Sequence, residues 1–436
     1  MADKNYKFKY GKQFVKIDLP EKAEHLTIQE PEFSINQDKF IKDLSSKLPD
    51  NLSNCQAPSF IASIIVADKT RLCDYKIYLP WVLDTLHSKN IQKHQIQFFI
   101  AYGTHTKQSD EECSNSYGET YKNYKFIHHD CSDKSLFTYL GKTTKGTTIH
   151  VRKDILESDL IITFGALSHH YFAGYGGGRK LLFPGLGYMP DIYQNHKLFL
   201  NKISKKLETG CQPGNLENNP LADDLKQIDA AVCVERVAIH GILDSKARVH
   251  QLIVGKTYND FLNACNTLDS FYKTMDKRKN QLEYTTQYTT RREKRVKKQY
   301  KLVIASCGGF PKDINFIQAH KAIHNAAMFV KESGILIMIA QCPDGIGSDA
   351  FLEYFDYKNF NLAFKHLENN YKGNGGTALS MMYKALKINI FIKTSLNGKT
   401  CKKIGMQKIE MTMIQTMIEE FQDDMAVINN ASLLIF

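Results

Sequence analysis

An apolar strand that ends in a glycine-rich turn decides the fold of this chain, and it has the sequence DLIITFGALSHHYFAGYGGGRK from Asp159 to Lys180. Its first six residues, DLIITF, form the kind of short apolar run that predicts a buried strand. Two histidines follow, then four glycines within five residues, and then Arg179 and Lys180. Ligand sites of open α/β sheets lie beyond the carboxyl ends of strands, so we expect this segment to border a binding site.

The rest of the chain repeats this alternation of short apolar runs with amphipathic stretches. Strands are predicted at 60–67, 96–102, 160–164, 301–306, 334–340 and 388–392. Helices are predicted at 76–88, 315–331, 378–386 and 408–421. Strands that alternate with helices are typical of parallel sheets. The predicted fold class is therefore α/β, as two α/β domains with mainly parallel sheets and an active site in the cleft between them.

A polar, highly charged segment divides the chain. Residues 273–299 contain few aliphatic side chains, which is typical of a connection between domains. We therefore predict an N-terminal domain at 1–275, a charged linker at 276–300 and a C-terminal α/β domain at 301–436.

The composition is that of an ordinary globular protein, because 43% of the 436 residues are hydrophobic and 24% are charged. The N-terminus, MADKNYKFKYGK, has no hydrophobic stretch and is not expected to be a signal peptide. Ten cysteines without a C-x-x-C pair indicate reduced thiols, so we predict a cytoplasmic protein. No apolar run approaches the length of a membrane span, so we predict no membrane partner. The net charge is +11, but we interpret the densest basic run, Arg291–Gln299, as a solvated face and predict no nucleic-acid partner.

Four predicted strands lead into segments that carry polar or charged side chains. These segments are ADKTR (67–71), GTH (103–105), GALSHHYFAGYGGGRK (165–180) and GGFPKDINFIQAHK (308–321). Histidines in or near them are candidates for acid–base catalysis or for metal binding, and they are His105, His169, His170 and His196. A lone histidine is more often structural, and spacing in the sequence does not establish that these four converge.

The glycine cluster is either an anion cradle or a flexible turn. Backbone N–H groups of glycines can approach an oxyanion closely, and Arg179 and Lys180 would supply positive charge. The motif is neither a Walker A loop nor G-x-G-x-x-G. The alternative is a turn with a solvated Arg–Lys pair.

Two further pairs of residues have equally open roles. Asp68 and Arg71 lie three residues apart. They are either an ion pair on the surface or part of a site. Gln318 and Lys321 lie three apart on a predicted helix and share a face, which points either to the strand ends or to solvent.

Taken in order, these segments resemble the lactate racemase family, whose members use a nickel-pincer nucleotide. The resemblance extends from about residue 7 to beyond 420. It rests on KYGK, ADKTR, AYGTH, ESDLIITFGALSHHYFAGYGGGRKLLFPG, QNH, GGFPKDINFIQAHK and CPDGIG. Each motif alone is moderately specific, whereas the ordered set is highly specific.

The resemblance implies a role for each candidate residue. The implied cofactor is nickel held in pyridinium-3,5-bisthiocarboxylic acid mononucleotide, which joins covalently to Lys180 and takes His196 as a nickel ligand. His105 and His170 would be the acid–base pair. The remaining implied cofactor-binding residues are Asp68, Lys69, Thr70, Arg71, Gly176, Gly177 and Gly178. The implied substrate-binding residues are Arg71, Gln318 and Lys321. The N-terminal domain would then be the cofactor-binding and catalytic one, and the C-terminal domain would add substrate-site residues.

The implied reaction is racemisation or epimerisation at C2 of a 2-hydroxy acid, lactate or a related acid. Hydride would pass transiently to the pyridinium ring while one histidine accepts the hydroxyl proton. The implied partners are the small-molecule substrate and the enzymes that make the cofactor, and a homo-oligomer is left open.

Departures from the family pattern leave the substrate open. Ile317 stands where a tyrosine is expected, Leu72 where proline is common, and GYGGGRK carries an extra glycine where serine is frequent. One alternative is an NAD- or nucleotide-dependent oxidoreductase, against which the missing G-x-G-x-x-G argues. Another is a non-catalytic metal- or anion-binding family member, against which the retained histidines and Lys180 argue.

Overall fold

Two units make up the fold of this chain in the computed structural model, which describes residues 3–49, 57, 59–273 and 298–436. The central unit is Glu30–Phe271, and the terminal unit combines Met1–Gln29 with Tyr272–Phe436. The first 29 residues thus lie with the C-terminal part of the chain, whereas the sequence predicted them in the N-terminal domain. The predicted linker lies outside the described residues, apart from its last three positions.

Strands and helices alternate along most of the described chain, as predicted. The strands are β1 (Asp3–Tyr10), β2 (Gln13–Leu19), β3 (Glu24–Leu26), β4 (Ala62–Ala67), β5 (Ile96–Ala101), β6 (Lys125–His128), β7 (Phe137–Lys142), β8 (Thr148–Arg152), β9 (Leu160–His170), β10 (Gly174–Gly176), β11 (Leu200–Asn201), β12 (Lys206–Leu207), β13 (Arg236–Leu243), β14 (Val249–Gly255), β15 (Tyr300–Ser306), β16 (Val330–Ile339), β17 (Asn389–Lys393), β18 (Gln407–Lys408) and β19 (Met425–Ile428). The α-helices are α1 (Gln37–Lys47), α2 (Tyr75–Ser88), α3 (Asp110–Tyr117), α4 (Glu119–Asn123), α5 (Lys153–Leu156), α6 (Arg179–Leu182), α7 (Met189–His196), α8 (Pro220–Ala230), α9 (Tyr258–Tyr272), α10 (Phe316–Ala327), α11 (Asp349–Leu352), α12 (Phe360–Asn369), α13 (Gly375–Ala385), α14 (Gly398–Lys403) and α15 (Met411–Phe421).

The central unit is built on a sheet with the strand order β14-β13-β9-β4-β5-β6. Its strands are parallel except for β14 at one edge and the short β10, which pairs antiparallel with β9. Every residue of β4 is buried, which explains why its sequence is a continuous apolar run rather than an alternating one. The register pairs Ala67 with Ala101, so β4 and β5 end at the same edge of the sheet.

Strand β9 is longer than the sequence predicted. The prediction that it ends at Phe164 and leads into a loop is wrong, because β9 continues to His170. It keeps its pairing with β13 as far as Leu167 and then forms a tight hairpin in which Gly176 lies opposite Ser168. The polar residues SHH therefore occupy a strand, since neighbouring strands satisfy their backbone hydrogen bonds.

The terminal unit contains a six-stranded sheet, in the order β18-β17-β16-β15-β19-β3, with all neighbours parallel. Its last strand, β3, pairs with β19, and this pairing ties the N-terminal segment to the C-terminal one. The β1–β2 hairpin adds Phe8, Ile17 and Leu19 to a core shared with β15, β16, α15 and β19. The predicted helix at 315–331 ends at Ala327, because β16 begins at Val330.

These features confirm the predicted α/β class with mainly parallel sheets. No helix in the described parts of the chain is long and apolar enough to cross a membrane. Nine cysteines fall within the described residues, and all are free thiols.

Candidate active site

The first part of the site is the turn that follows β4. Asp68 is buried and caps a 3₁₀ turn at Lys69–Arg71, because its carboxylate accepts hydrogen bonds from Thr70 N (3.0 Å) and Thr70 Oγ1 (2.6 Å). Two tyrosines form hydrogen bonds with the backbone of Ala67, the last residue of β4. Tyr75 Oη accepts from Ala67 N, and Tyr117 Oη donates to Ala67 O, both at 2.8 Å.

These two tyrosines were not among the residues predicted from the sequence, and neither was Gln108, whose Oε1 accepts from Lys69 N at 2.9 Å. The sequence indicated their role only weakly, because a tyrosine on an otherwise apolar helix face is usually just part of the hydrophobic core. Their role depends on which strand end each helix packs against.

The second part of the site is a hydrogen bond between Asp68 and His105, with 2.6 Å between Oδ2 and Nδ1. His105 follows β5 through a turn in which Gly103 takes a φ of +57° and donates its N–H to Gly185 O. Burial raises the pKa of the Asp68 carboxyl, but the bonds from His105 and Thr70 outweigh it, so the pKa lies below its ordinary value. An ionised carboxylate only accepts hydrogen bonds, so Nδ1 of His105 carries a proton and Nε2 is left to accept one. The His105 side chain is 41% exposed and can meet a substrate.

The third part of the site consists of Lys180 and His196, two bases whose pKa values lie below their ordinary values. Burial lowers the pKa of the Lys180 amine well below its ordinary value, and the charges of Arg71 and Arg179 lower it further. Burial also lowers the pKa of His196 to about 3, with added effects from Lys180 and Arg71. These mutual effects place Arg71, Lys180 and His196 in one electrostatic environment. A neutral amine is a nucleophile, and a neutral imidazole is a metal ligand.

The glycine cluster forms the returning strand of the β9–β10 hairpin, followed by the start of α6. A Cβ on Gly177, whose φ is +78°, would lie 2.3 Å from Ala166 O. A Cβ on Gly178 would lie 2.9 Å from His240 Cε1. The glycines are therefore required by backbone packing inside the protein. The alternative of a solvated Arg–Lys pair does not hold, because the guanidinium nitrogens Nη1 and Nη2 of Arg179 are buried.

The two histidines at the tip of β9 differ in their surroundings. His169 Nε2 lies 2.8 Å from Asp269 Oδ1, and Tyr175 Oη donates to the same oxygen, so His169 is part of a structural network. His170 Nδ1 accepts from the backbone N–H groups of Phe172 (3.3 Å) and Ala173 (3.0 Å). In a neutral His170 ring the proton therefore resides on Nε2, the reverse of the pattern in His105.

Gln318 and Lys321 lie in the terminal unit, on the first turns of α10. Asn315 caps this helix by accepting from Gln318 N at 3.0 Å, and Lys321 Nζ donates to Gln318 Oε1 at 2.8 Å. The two side chains share a helix face, as the spacing predicted. The structure thus brings together Asp68, Arg71, His105, Lys180 and His196 in the central unit, and it pairs Gln318 with Lys321 in the terminal one.

Comparisons with known proteins agree with this architecture. The family model for the lactate racemase N-terminal domain matches residues 10–208, and the one for the lactate racemase C-terminal domain matches residues 295–418. The chain is 26% identical over 361 residues to a lactate racemase from Thermoanaerobacterium thermosaccharolyticum, covering 80% of this chain and 78% of the relative. It is 29% identical over 296 residues to a lactate racemase from Lactiplantibacillus plantarum, covering 66% of this chain and 62% of the relative.

Two solved structures share the fold. One is the lactate racemase apoprotein from Thermoanaerobacterium thermosaccharolyticum, with a TM-score of 0.83, 23% identity and 99% of each chain covered. The other is a structural-genomics protein from Thermotoga maritima, with a TM-score of 0.62, 12% identity, and 93% of this chain and 99% of that one covered. The two family models match successive parts of the chain, and the chain belongs to the lactate racemase family of isomerases.

Proposed function

We propose that this protein is a racemase or epimerase that inverts C2 of a 2-hydroxy acid, using a nickel-pincer nucleotide joined to Lys180. The observation that carries the proposal is the Asp68–His105 pair in the same unit as Lys180 and His196, two bases whose pKa values are lowered. Such a set can accept a proton, hold a metal and form a covalent link. We place the enzyme in the cytoplasm, supplied with cofactor by separate biosynthetic enzymes.

The residues present fit this cofactor. His196 offers a neutral imidazole, which suits nickel. The lowered pKa of Lys180 favours the unprotonated amine that a covalent bond to a carboxyl-derived arm requires. Asp68 through Arg71 and the backbone of Gly176–Gly178 would hold the nucleotide part. When bound, the cofactor supplies the acceptor and donor for the hydrogen on C2.

The chain's own residues would handle the proton and the carboxylate. His105 would take the substrate's hydroxyl proton on Nε2, while the buried Asp68 carboxylate stabilises the resulting imidazolium. Acid–base help of this kind contributes about 10²–10⁴-fold. We propose His170 as the second acid–base group and Arg71, Gln318 and Lys321 as the residues that bind the substrate carboxylate.

One experiment tests the whole proposal. The protein is produced together with the cofactor-making enzymes, its intact mass is measured, and single enantiomers of 2-hydroxy acids are incubated with it and separated by chiral chromatography. We expect a nucleotide-sized adduct that Lys180→Met abolishes and that Lys202→Met, an exposed control, retains. An unmodified chain together with unchanged enantiomers would contradict the proposal.

A further inference from the structure

A second cluster of basic side chains lies between α10 and α13 in the terminal unit. Lys384 Nζ donates to Ser380 O at 3.1 Å and to Ser380 Oγ at 2.5 Å, one turn earlier on α13. Ser380 Oγ lies 3.4 Å from His324 Nδ1 across the helix interface. The ring of His320 lies 6.3 Å from that of His324. The proposed reaction uses none of these four residues.

The cluster contains three basic side chains, those of His320, His324 and Lys384. Among the described residues, Lys384 forms no salt bridge, and its hydrogen-bond partners are a hydroxyl and a carbonyl oxygen. Burial lowers the pKa of Lys384 to about 7. Burial also lowers the pKa of His324 well below its ordinary value, and the charges of Lys384 and His320 lower it further. A buried cation without a counter-charge is costly, so an anion that entered the cluster would be bound favourably.

The position of the cluster relates it to the proposed substrate site. Ile317, Lys321 and His324 lie along one side of α10, at the spacing i, i+4, i+7. Lys321 and His324 are neighbours on that side, and side chains at this spacing stand roughly 5–6 Å apart. His324 and Lys384 are half-buried, whereas Lys321 is exposed. Ile317, the departure from the family pattern, stands in the same row.

We propose that His324 and Lys384 bind a second acidic group of the substrate, so that the substrate is a 2-hydroxy dicarboxylic acid. The inference rests on the proposed function, in which Lys321 holds the C1 carboxylate. The carboxyl groups of a four-carbon diacid are separated by a distance comparable to one helical turn, so one molecule can contact Lys321 and the cluster. Ser380 is buried, so its hydroxyl positions Lys384 and does not act as a nucleophile.

The test compares two acids that differ by one carboxyl group. Cofactor-loaded, full-length protein is assayed with enantiopure 2-hydroxysuccinate and 2-hydroxypropanoate by chiral chromatography. We expect kcat/KM to be at least about 10-fold higher for the diacid. Lys384→Met, which keeps the length of the side chain and removes the amine, should lower the diacid-to-monoacid ratio of kcat/KM by about 30-fold or more, mainly through the diacid KM. Lys387→Met, an exposed control just beyond the end of α13, should leave the ratio unchanged.

Two results overturn the inference and leave the proposed function intact. One is a preference for the monoacid. The other is a Lys384→Met enzyme that loses activity on both acids in the same proportion, which is the sign of a merely structural role.

If neither acid is racemised, the proposed function fails and calorimetry on the protein without cofactor decides the inference. Tighter binding of 2-hydroxysuccinate than of 2-hydroxypropanoate, lost in Lys384→Met, supports the acidic-group site. Equal binding of the two acids overturns it.

Discussion

His105 and His170 are the two residues proposed to exchange protons with the substrate, and they start from opposite protonation patterns. His105 directs Nδ1–H at the Asp68 carboxylate and leaves Nε2 able to accept a proton. His170 accepts two backbone N–H groups on Nδ1 and carries its proton on Nε2. In this arrangement His105 is the group prepared to act first as a base, because its carboxylate partner also stabilises the charged ring.

Replacing Asp68 with asparagine should therefore impair proton transfer more than folding. We expect Asp68→Asn to lower kcat by about 10²–10⁴-fold, because an amide can hold His105 in the wrong tautomer and cannot stabilise the imidazolium. Racemisation by the loaded enzyme measures the effect, and intact mass reports the adduct. Asp84→Asn, an exposed change on α2, is the control. Loss of the adduct in Asp68→Asn would instead assign Asp68 to cofactor attachment.

The β9–β10 hairpin is the element that determines where Lys180 lies. Its returning strand approaches β9 so closely that Gly177 has room for no Cβ, and Lys180 N then donates to Gly177 O at the start of α6. The turn between β7 and β8 contains Gly146, which also has a positive φ but open space around its Cβ position. A substitution at Gly146 therefore introduces only backbone strain, whereas a substitution at Gly177 introduces backbone strain and a steric clash.

Gly177→Ala and Gly146→Ala form a matched pair of variants. For Gly146→Ala we expect a loss of about 1–2 kcal/mol in the free energy of unfolding, since only the left-handed conformation is strained. For Gly177→Ala we expect about 3 kcal/mol or more, together with a lower yield of the Lys180 adduct, because the hairpin must move away from Ala166. Urea unfolding and intact mass measure both effects. Equal losses would show that the contact with Ala166 O relaxes freely.

The same hairpin packs against a buried histidine that makes stability depend on pH. Burial lowers the pKa of His240, which lies against Gly178, to about 4. Between pH 6.5 and 4 the ring is protonated in the unfolded chain and neutral in the fold. Stability should fall by about 1.4 kcal/mol for each pH unit below 6.5 as this group is titrated.

His240→Gln removes that group, so its unfolding free energy should decline less steeply between pH 6.5 and 4 than that of the parent protein. Urea unfolding at a series of pH values measures the slope. His94→Gln, a change at an exposed histidine, should leave the slope unchanged. Identical slopes for His240→Gln and the parent protein would mean that His240 is protonated within the fold.

At the scale of the whole molecule, both ends of the chain belong to one unit. β3 pairs with β19, and the β1–β2 hairpin places Phe8 in the core formed by residues from Leu302 to Val427. Phe14 lies on the same hairpin but is 57% exposed. Substitutions at these two phenylalanines therefore distinguish the contribution of a buried ring to stability from that of an exposed ring.

Phe8→Ala should cost about 3–5 kcal/mol of stability in the terminal unit, because it empties a buried ring from its core. Hydrogen exchange should then become faster at the β15 and β16 amides and remain slower at β4. Phe14→Ala is the control and should change the exchange little. Faster exchange in β4 alone would place the hairpin with the central unit instead.

The sequence by itself determined the α/β class, the six predicted strands and the segments that follow them. Local apolar runs and glycines are enough to indicate these features. The order of the strands also favoured the meeting of Asp68 and His105, since the parallel strands β4 and β5 end at the same edge of the sheet. What the local pattern could not predict was pairing between distant segments: β9 beyond Phe164, β3 with β19, Asp68 with His105, and Ser380 with His324. Each depends on which surfaces meet once the core is packed, so only the tertiary structure decided them.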